Sequence, residues 1–275
     1  MEKNYVEENE KILDAWEQEY KNRGKNICFS RDGIMFRGLF ENIEGYWVRE
    51  RGNENELWSK SPVRILYLTK DQNAGEDHDD YWDCRASTFH RRFSKKEDDV
   101  LCDVTAFNTN FSKSLYGLAT TTPDKMVEYD DIDEKEVVKV CDEYPYAQIN
   151  CKKEAGGAKC SDAVLDAAMK EYAPFLKQQI LNLDADIIVC SGGWRGNANE
   201  DVMVNFLNSI GYNFERDKDC GNYVFHYDET HNKVAISAYH LGFFAYGRKQ
   251  MYDDIVKTYY LFLQKYPDFI KSHRK

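Results

Sequence analysis

The sequence predicts an α/β protein in which helices cover both faces of a four-stranded, mainly parallel central sheet, a three-layer α/β/α arrangement. Two observations support this prediction. Four short apolar runs rich in branched side chains have the composition of strands buried on both faces. Helix-like stretches separate these runs from residue 63 onward, which is typical of parallel sheets with crossover connections. The predicted core strands are residues 63–69, 146–150, 186–191 and 233–239.

The chain before the first core strand is predicted to be a smaller appendage. Residues 5–22 carry their apolar side chains on one helical stripe, which predicts an amphipathic helix. Short strand-like runs and glycine-containing turns follow in residues 26–58. We therefore expect an N-terminal helical and irregular extension over residues 1–60 and an α/β domain over residues 61–275.

The segments between the core strands are predicted to be mainly helical. A helix should begin after Ser161, whose hydroxyl can cap it, and should be interrupted at Pro174 on its way to Leu183. The other expected elements are helical pieces within 88–118, an acidic solvated segment over 124–143, a helix over 202–210, a hairpin over 222–239 and a last helix over 247–264.

Composition narrows the classes of function. The formal net charge of −11 argues against a protein that coats nucleic acid nonspecifically. No run approaches the roughly 20 apolar residues of a membrane span, and residues 1–10 are polar and acidic, so we expect a cytoplasmic protein without membrane association. The eight cysteines include no C-x-x-C pair, so we expect buried free thiols and neither a metal site nor a cofactor.

The residues that follow the predicted strands are the best candidates for a site, because open parallel sheets bind ligands beyond the carboxyl ends of their strands. Asp71 comes just after the first strand, Asn150 ends the second, and His240 follows the fourth. Cations also follow these strands although the chain is acidic, which suggests a focused positive rim. The cations in question are Lys70, Lys152, Arg248 and Lys249.

These strand ends resemble the motifs of the uracil-DNA glycosylase superfamily. Leu-Tyr-Leu-Thr-Lys-Asp-Gln-Asn places Asp71 where that family has its water-activating Asp or Asn, and Ala-Gln-Ile-Asn places Asn150 where the family reads the flipped base. Ile-Ile-Val-Cys-Ser-Gly-Gly matches the glycine-containing turn after the third strand, and Ala-Tyr-His puts His240 at the start of the last motif. The resemblance covers roughly residues 60–265.

The resemblance implies a DNA glycosylase that acts on uracil-type or other modified bases in single- or double-stranded DNA. Asp71 would stabilise the cationic sugar and hold the attacking water, and a neutral His240 would donate to the departing base. Asn150 would read the base edge, assisted by Gln72 and Asn73. Flanking phosphates would contact Lys152, Arg248 and Lys249, and the gap left by the flipped nucleotide would receive Phe243 or Phe244. An aromatic ring should stack on the base, and the candidates are Phe89, Phe93, Phe107 and Phe111.

Each candidate also has a structural interpretation. Asp71 could cap a turn, Asn150 could bond local backbone, and His240 could be a satisfied core or loop histidine. The two phenylalanines after His240 could belong to the core. In addition, His-Leu-Gly-Phe-Phe stands where the family usually has His-Pro-Ser.

Two alternatives to a glycosylase therefore stay open. The first is a catalytically inactive module with the glycosylase fold that binds nucleic acid, a nucleotide or a protein partner. The second is a metal-assisted hydrolase that uses the acidic segment 76–80, although a solvated acidic loop explains that segment more simply.

Overall fold

The computed structural model describes residues 3–25, 27–73, 82–91, 101, 105–157, 159–193, 201–217, 223–243 and 245–272. Within these residues the chain forms ten α-helical segments and eleven strands. The strands are β1 (Ser30–Arg31), β2 (Gly33–Ile34), β3 (Phe40–Ile43), β4 (Tyr46–Arg49), β5 (Ile65–Thr69), β6 (Trp82–Asp83), β7 (Tyr146–Asn150), β8 (Ile187–Ser191), β9 (Glu215–Arg216), β10 (Phe225–Asp228) and β11 (Lys233–Ala238). The helices are α1 (Tyr5–Asn22), α2 (Glu54–Lys60), α3 (Ala106–Thr120), α4 (Glu134–Glu143), α5 (Asp162–Glu171), α6 (Ala173–Leu183), α7 (Val202–Ser209), α8 (Arg248–Tyr252), α9 (Thr258–Lys265) and α10 (Phe269–Ser272).

In the described part of the chain, the central sheet has seven strands in the order β2-β7-β5-β8-β11-β10-β9. The four in the middle, β7, β5, β8 and β11, are parallel to their neighbours. The edge strand β2 is antiparallel to β7, and β10 and β9 continue the opposite edge in antiparallel pairing. The carboxyl ends of the four central strands therefore lie along the same edge of the sheet.

The central strands are apolar throughout because both faces of the sheet are covered. Every residue of β5 and β8 is buried. Alternate side chains of β5 enter different apolar clusters: Leu66 and Leu68 lie in one, and Ile65 and Tyr67 lie in the other. The first cluster includes side chains of α1, α5, α6 and α7, and the second includes side chains of α3, α4, α8 and α9.

Local sequence signals account for several helix ends. Side-chain oxygens of Asn4, Thr105, Ser161 and Asp201 accept backbone N–H bonds at the starts of α1, α3, α5 and α7. Pro174 lies in the first turn of α6, where its missing N–H costs no helical hydrogen bond, and this explains the break after α5. Between α8 and α9, residues Asp253–Lys257 form a π-helical turn.

The prediction of an α/β fold is confirmed. The sheet, however, is larger than the four strands predicted, because short edge strands such as β2 and β9 have too few residues to show a strand pattern. The expected N-terminal extension supplies β2 to the sheet, and Trp16 of α1 is buried in the apolar cluster on one of its faces. Within the described residues, none of the helices combines the length and apolarity needed to cross a membrane.

Candidate functional site

The loops that follow β5 and β7 pair with each other beyond the ends of the strands. The backbone N–H of Lys152 donates to Lys70 O at 2.9 Å, and that of Gly156 donates to Gln72 O at 2.8 Å. On its other side, the loop after β7 pairs with residues 28–30, where Ser30 N–H donates to Lys153 O at 2.9 Å. This double pairing gives residues 70–73 a fixed backbone support.

Asp71 lies in the first of these paired loops, and only 10% of its side chain is exposed. Its Oδ2 accepts a hydrogen bond from Lys152 Nζ at 3.2 Å, and the same ammonium donates to the Glu154 carbonyl at 2.6 Å. Burial raises the pKa of the Asp71 carboxyl, and the charges of Lys152 and Lys70 oppose that rise. Gly156 makes room for the pair, since a Cβ at that position would stand 2.3 Å from Asp71 Oδ2.

Lys70 connects the end of β5 to the start of α5. Its ammonium donates to the Cys160 carbonyl at 3.0 Å and to Asp162 Oδ1 at 3.1 Å. Its aliphatic stem packs against Gly192, where a Cβ would stand 2.8 Å from Lys70 Cε and 3.2 Å from His240 Cβ. Gly192 has φ +103°, so glycine meets both the conformational and the packing requirement of this turn.

His240 follows β11 and is partly buried beside the ring of Phe107, with the ring centroids 5.9 Å apart. Burial and the nearby charge of Lys70 lower the pKa of the imidazole. The backbone N–H of Gly242 donates to His240 Nδ1 at 3.2 Å. Because Nδ1 acts as an acceptor, the neutral ring carries its proton on Nε2, which is then the donor available to a ligand.

Asn150 is 1% exposed and its side chain is used inside the protein. Its Oδ1 accepts from Thr69 Oγ1 at 2.7 Å, and its Nδ2 donates to Ser30 Oγ at 3.0 Å. A weaker contact joins the same amide to Cys84 Sγ, which in turn donates to Gln72 Oε1 at 3.0 Å. Gln72 therefore lies between this internal network and the loop that carries Asp71.

The other predicted binding residues lie on more exposed parts of the same end of the sheet. Asn73 is exposed, and Phe243 is 41% exposed next to Tyr239, at a ring separation of 5.5 Å. Arg248 and Lys249 open α8, where the Lys249 ammonium pairs with Asp130. Among the described residues, the side chains of Asn73, Phe243 and Lys249 make no hydrogen bond or ion pair with Asp71 or His240.

The structure separates the four aromatic candidates for base stacking. Phe89 and Phe111 are buried at 7% and 1% exposure, whereas Phe107 is partly exposed and neighbours His240. Phe93, Phe244 and the acidic segment 76–80 lie outside the described residues. Phe107 is thus the candidate placed where it can contact a ligand.

Among the residues that the structure describes, no group of three or more His, Cys, Asp or Glu side chains is arranged to hold a metal ion. Cys84, Cys141 and Cys151 are buried, and burial raises the pKa of each thiol to about 12. Such thiols are protonated at neutral pH and are poor nucleophiles.

Sequence reasoning missed part of the site. The sequence singles out Lys70 only as one of several cations, yet its side chain and that of His240 both border Gly192, and it stands directly before Asp71 in the chain. Its position after a core strand was the available signal. Asp162 and Gly156 could be recognised only after folding, because α5 and the loop after β7 bring them to Lys70 and Asp71.

Comparison with models of known protein families and with curated proteins found no match to this chain. The resemblance to the uracil-DNA glycosylase superfamily therefore depends on the four strand-end motifs alone.

Proposed function

We propose that this protein is a DNA glycosylase-like enzyme of the uracil-DNA glycosylase type, which binds a flipped modified base and hydrolyses its N-glycosidic bond. In this proposal, the four parallel central strands correspond to the core of that superfamily. One observation carries the proposal. Asp71 and His240 follow the ends of β5 and β11 and both lie within the influence of Lys70, and the partly exposed ring of Phe107, in the first turn of α3, neighbours the imidazole of His240.

Asp71 has the chemistry that hydrolysis at the sugar requires. As the bond from C1′ to the base breaks, its electron pair leaves with the base and positive charge develops on the sugar. An ionised carboxylate in a partly buried site stabilises that charge and accepts a proton from the water that adds to C1′. The Asp71 carboxylate retains acceptor capacity for this role, because its two oxygens together accept bonds from the side chains of Lys152 and Cys160, fewer than a carboxylate can accept.

His240 suits the departing base. The base leaves with negative charge, which a hydrogen bond from a neutral imidazole stabilises. Burial and Lys70 lower the pKa of His240 and so favour the neutral ring, and the amide of Gly242 leaves the proton on Nε2. Phe107 supplies a ring face on which a planar base can stack.

Release of free base from modified oligonucleotides tests the proposal. Single-stranded and double-stranded substrates with uracil or hypoxanthine should lose the base, and D71N or H240A should slow release by about 10²- to 10⁴-fold. Asp166→Asn and His231→Ala are controls that should leave release unchanged, because Asp166 pairs with Lys170 and His231 pairs with Asp228, away from Asp71 and His240. Absence of release from every substrate by the unmodified protein would refute catalysis.

A binding module without catalysis is the second candidate. It is favoured by Asn150, whose amide is bonded to Thr69 and Ser30 and would have to break those bonds to read a base. It is also favoured by the Asp71–Lys152 pair, because one oxygen of the Asp71 carboxylate is already bonded before any substrate binds. Salt-sensitive binding of oligonucleotides without base release would support this candidate over the enzyme. DNA or protein partners and a cytoplasmic location stay predictions.

A further inference from the structure

Two lysines flank the candidate site and both are held in place. Lys152 and Lys70 have side-chain exposures of 12% and 16%. The first is tied to Asp71 and to the Glu154 carbonyl, and the second to Asp162 and to the Cys160 carbonyl. Because these partners hold each lysine in one conformation, the two ammonium charges lie at defined positions relative to the neighbouring groups.

The two lysines act on different groups. Lys152 contacts Asp71 directly, and Lys70 adds a second favourable charge near the same carboxylate. Lys70 also shares the surface of Gly192 with His240, and it is the charged group that most affects the imidazole among the described residues. The other titratable groups that face this cluster are Cys160, which lies beside Asp71, and Asp162, which pairs with Lys70.

A single physical effect then serves two opposite requirements. Positive charge stabilises a carboxylate and destabilises an imidazolium, so it favours an ionised Asp71 and a neutral His240 at the same time. Burial helps His240 to stay neutral but opposes ionisation of Asp71. The lysines are therefore more important for keeping Asp71 ionised than for keeping His240 neutral.

We propose that Lys70 and Lys152 are positioning residues that hold Asp71 as a carboxylate and His240 as a neutral imidazole at the same pH. The catalytic meaning of this inference rests on the proposed glycosylase activity, but the two protonation states are properties of the folded protein alone. A purely architectural role for Lys70, as a link between β5 and α5, predicts no effect on the titration of His240.

Titration of the two groups by NMR separates these roles without any substrate. The H240A spectrum assigns the His240 resonance among the six histidines of the chain. K70M should move the pKa of His240 upward, whereas K70R keeps the charge and should leave it near the wild-type value. K152M should move the pKa of Asp71 upward, measured from the carboxyl carbon signal. Lys60→Met, in an exposed pair on α2, should change neither.

A second variant tests Lys152 without removing its charge. G156A places a methyl group against Asp71 Oδ2 and should separate the pair, so it should also raise the pKa of Asp71. G157A is its matched control, because a Cβ there meets nothing within 4 Å. Unchanged titration of His240 in K70M and of Asp71 in K152M would overturn the inference, even if the protein releases bases. Shifted titration in a protein that releases none would uphold the inference and reject only the activity.

Discussion

Lys152 and Lys153 are neighbours in the chain, yet they form ion pairs on opposite sides of the same loop. Lys153 is fully buried, and its ammonium bonds both oxygens of Asp32 at 2.6 Å. Lys152 points toward the strand ends and bonds one oxygen of Asp71 at 3.2 Å. The loop is paired on both edges, and its two successive lysines point to opposite sides, one into the core and the other toward the strand ends.

The two pairs differ in how completely their acceptors are used. Asp32 also accepts from Gln179 Nε2 at 2.7 Å and from the backbone N–H of Asn150 at 2.8 Å, so its carboxylate is enclosed by donors. Burial lowers the pKa of Lys153, and the carboxylate of Asp32 opposes that effect. Asp71 has fewer partners and keeps acceptor capacity. The core pair is therefore fully used inside the fold, while the pair at the strand ends retains the acceptor capacity that the proposed function requires.

Removal of the buried ammonium should have the largest effect. Lys153→Met leaves Asp32 as an uncompensated buried charge, and breaking a buried pair in this way costs about 3–5 kcal/mol. Urea unfolding followed by circular dichroism measures the loss. Lys170→Met, in an exposed pair with Asp166, is the matched control and should change stability by no more than about 1 kcal/mol.

A double variant shows whether the loss comes from the charge left behind. Asp32→Asn combined with Lys153→Met removes both charges and retains one carbonyl acceptor for the surrounding donors, so it should recover a large part of the stability that Lys153→Met loses. If the double variant were less stable than K153M, the Asp32 carboxylate would stabilise the fold even without Lys153, and the loss in K153M would not come from an unpaired charge.

The sequence predicted the parts of the fold that depend on local patterns. The bounds of β7, Tyr146–Asn150, and of α1, Tyr5–Asn22, agree with the prediction, and Pro174 marks the break between α5 and α6. Two-residue strands such as β2 cannot be predicted in this way, because their pairing depends on a distant strand.

The candidate site was predictable only in outline. The predicted parallel sheet puts Asp71 and His240 at the carboxyl ends of its strands, and the structure shows that these strands, β5 and β11, are separated only by β8. The partners of each group could not be predicted, because they come from residues far apart in the chain: Asn150 bonds Ser30, and Lys70 bonds Asp162. Lys153 enters the core because its loop is paired on both edges, and this long-range pairing could not be predicted from the local sequence.

A third carboxylate, Asp142 at the end of α4, extends the comparison to a partly exposed pair. Burial alone would raise the pKa of this group, but hydrogen bonds from His90 and Arg91 outweigh burial and lower it to about 2. Since the folded pKa lies below the ordinary value of 3.8, the stabilisation is complete above about pH 4 and is lost as the pH falls toward 2. Asp142→Asn should therefore cost about 1–2 kcal/mol at pH 7, after allowance for solvent screening.

Urea unfolding of D142N and of the unmodified protein across this pH range checks both the size and the sign. The difference between the two proteins should shrink as the pH falls, because the protonated Asp142 of the wild type no longer gains from the cation beside it. A difference that stays constant from pH 7 to pH 2 would mean that packing at the end of α4, rather than charge, accounts for the loss.

Lys152→Met should cost less stability than Lys153→Met, although the two substitutions are at neighbouring residues. Asp71 keeps the charge of Lys70 nearby, and burial already raises its pKa, so the carboxyl can take up a proton when its partner is lost. Because that protonation relieves the unpaired charge, the difference between K152M and the unmodified protein should become smaller as the pH falls. Urea unfolding at pH 5 and pH 8 measures it. A loss as large as that of K153M at both values would show that the Asp71 pair holds the fold together, and the distinction between a core pair and a functional pair would fail.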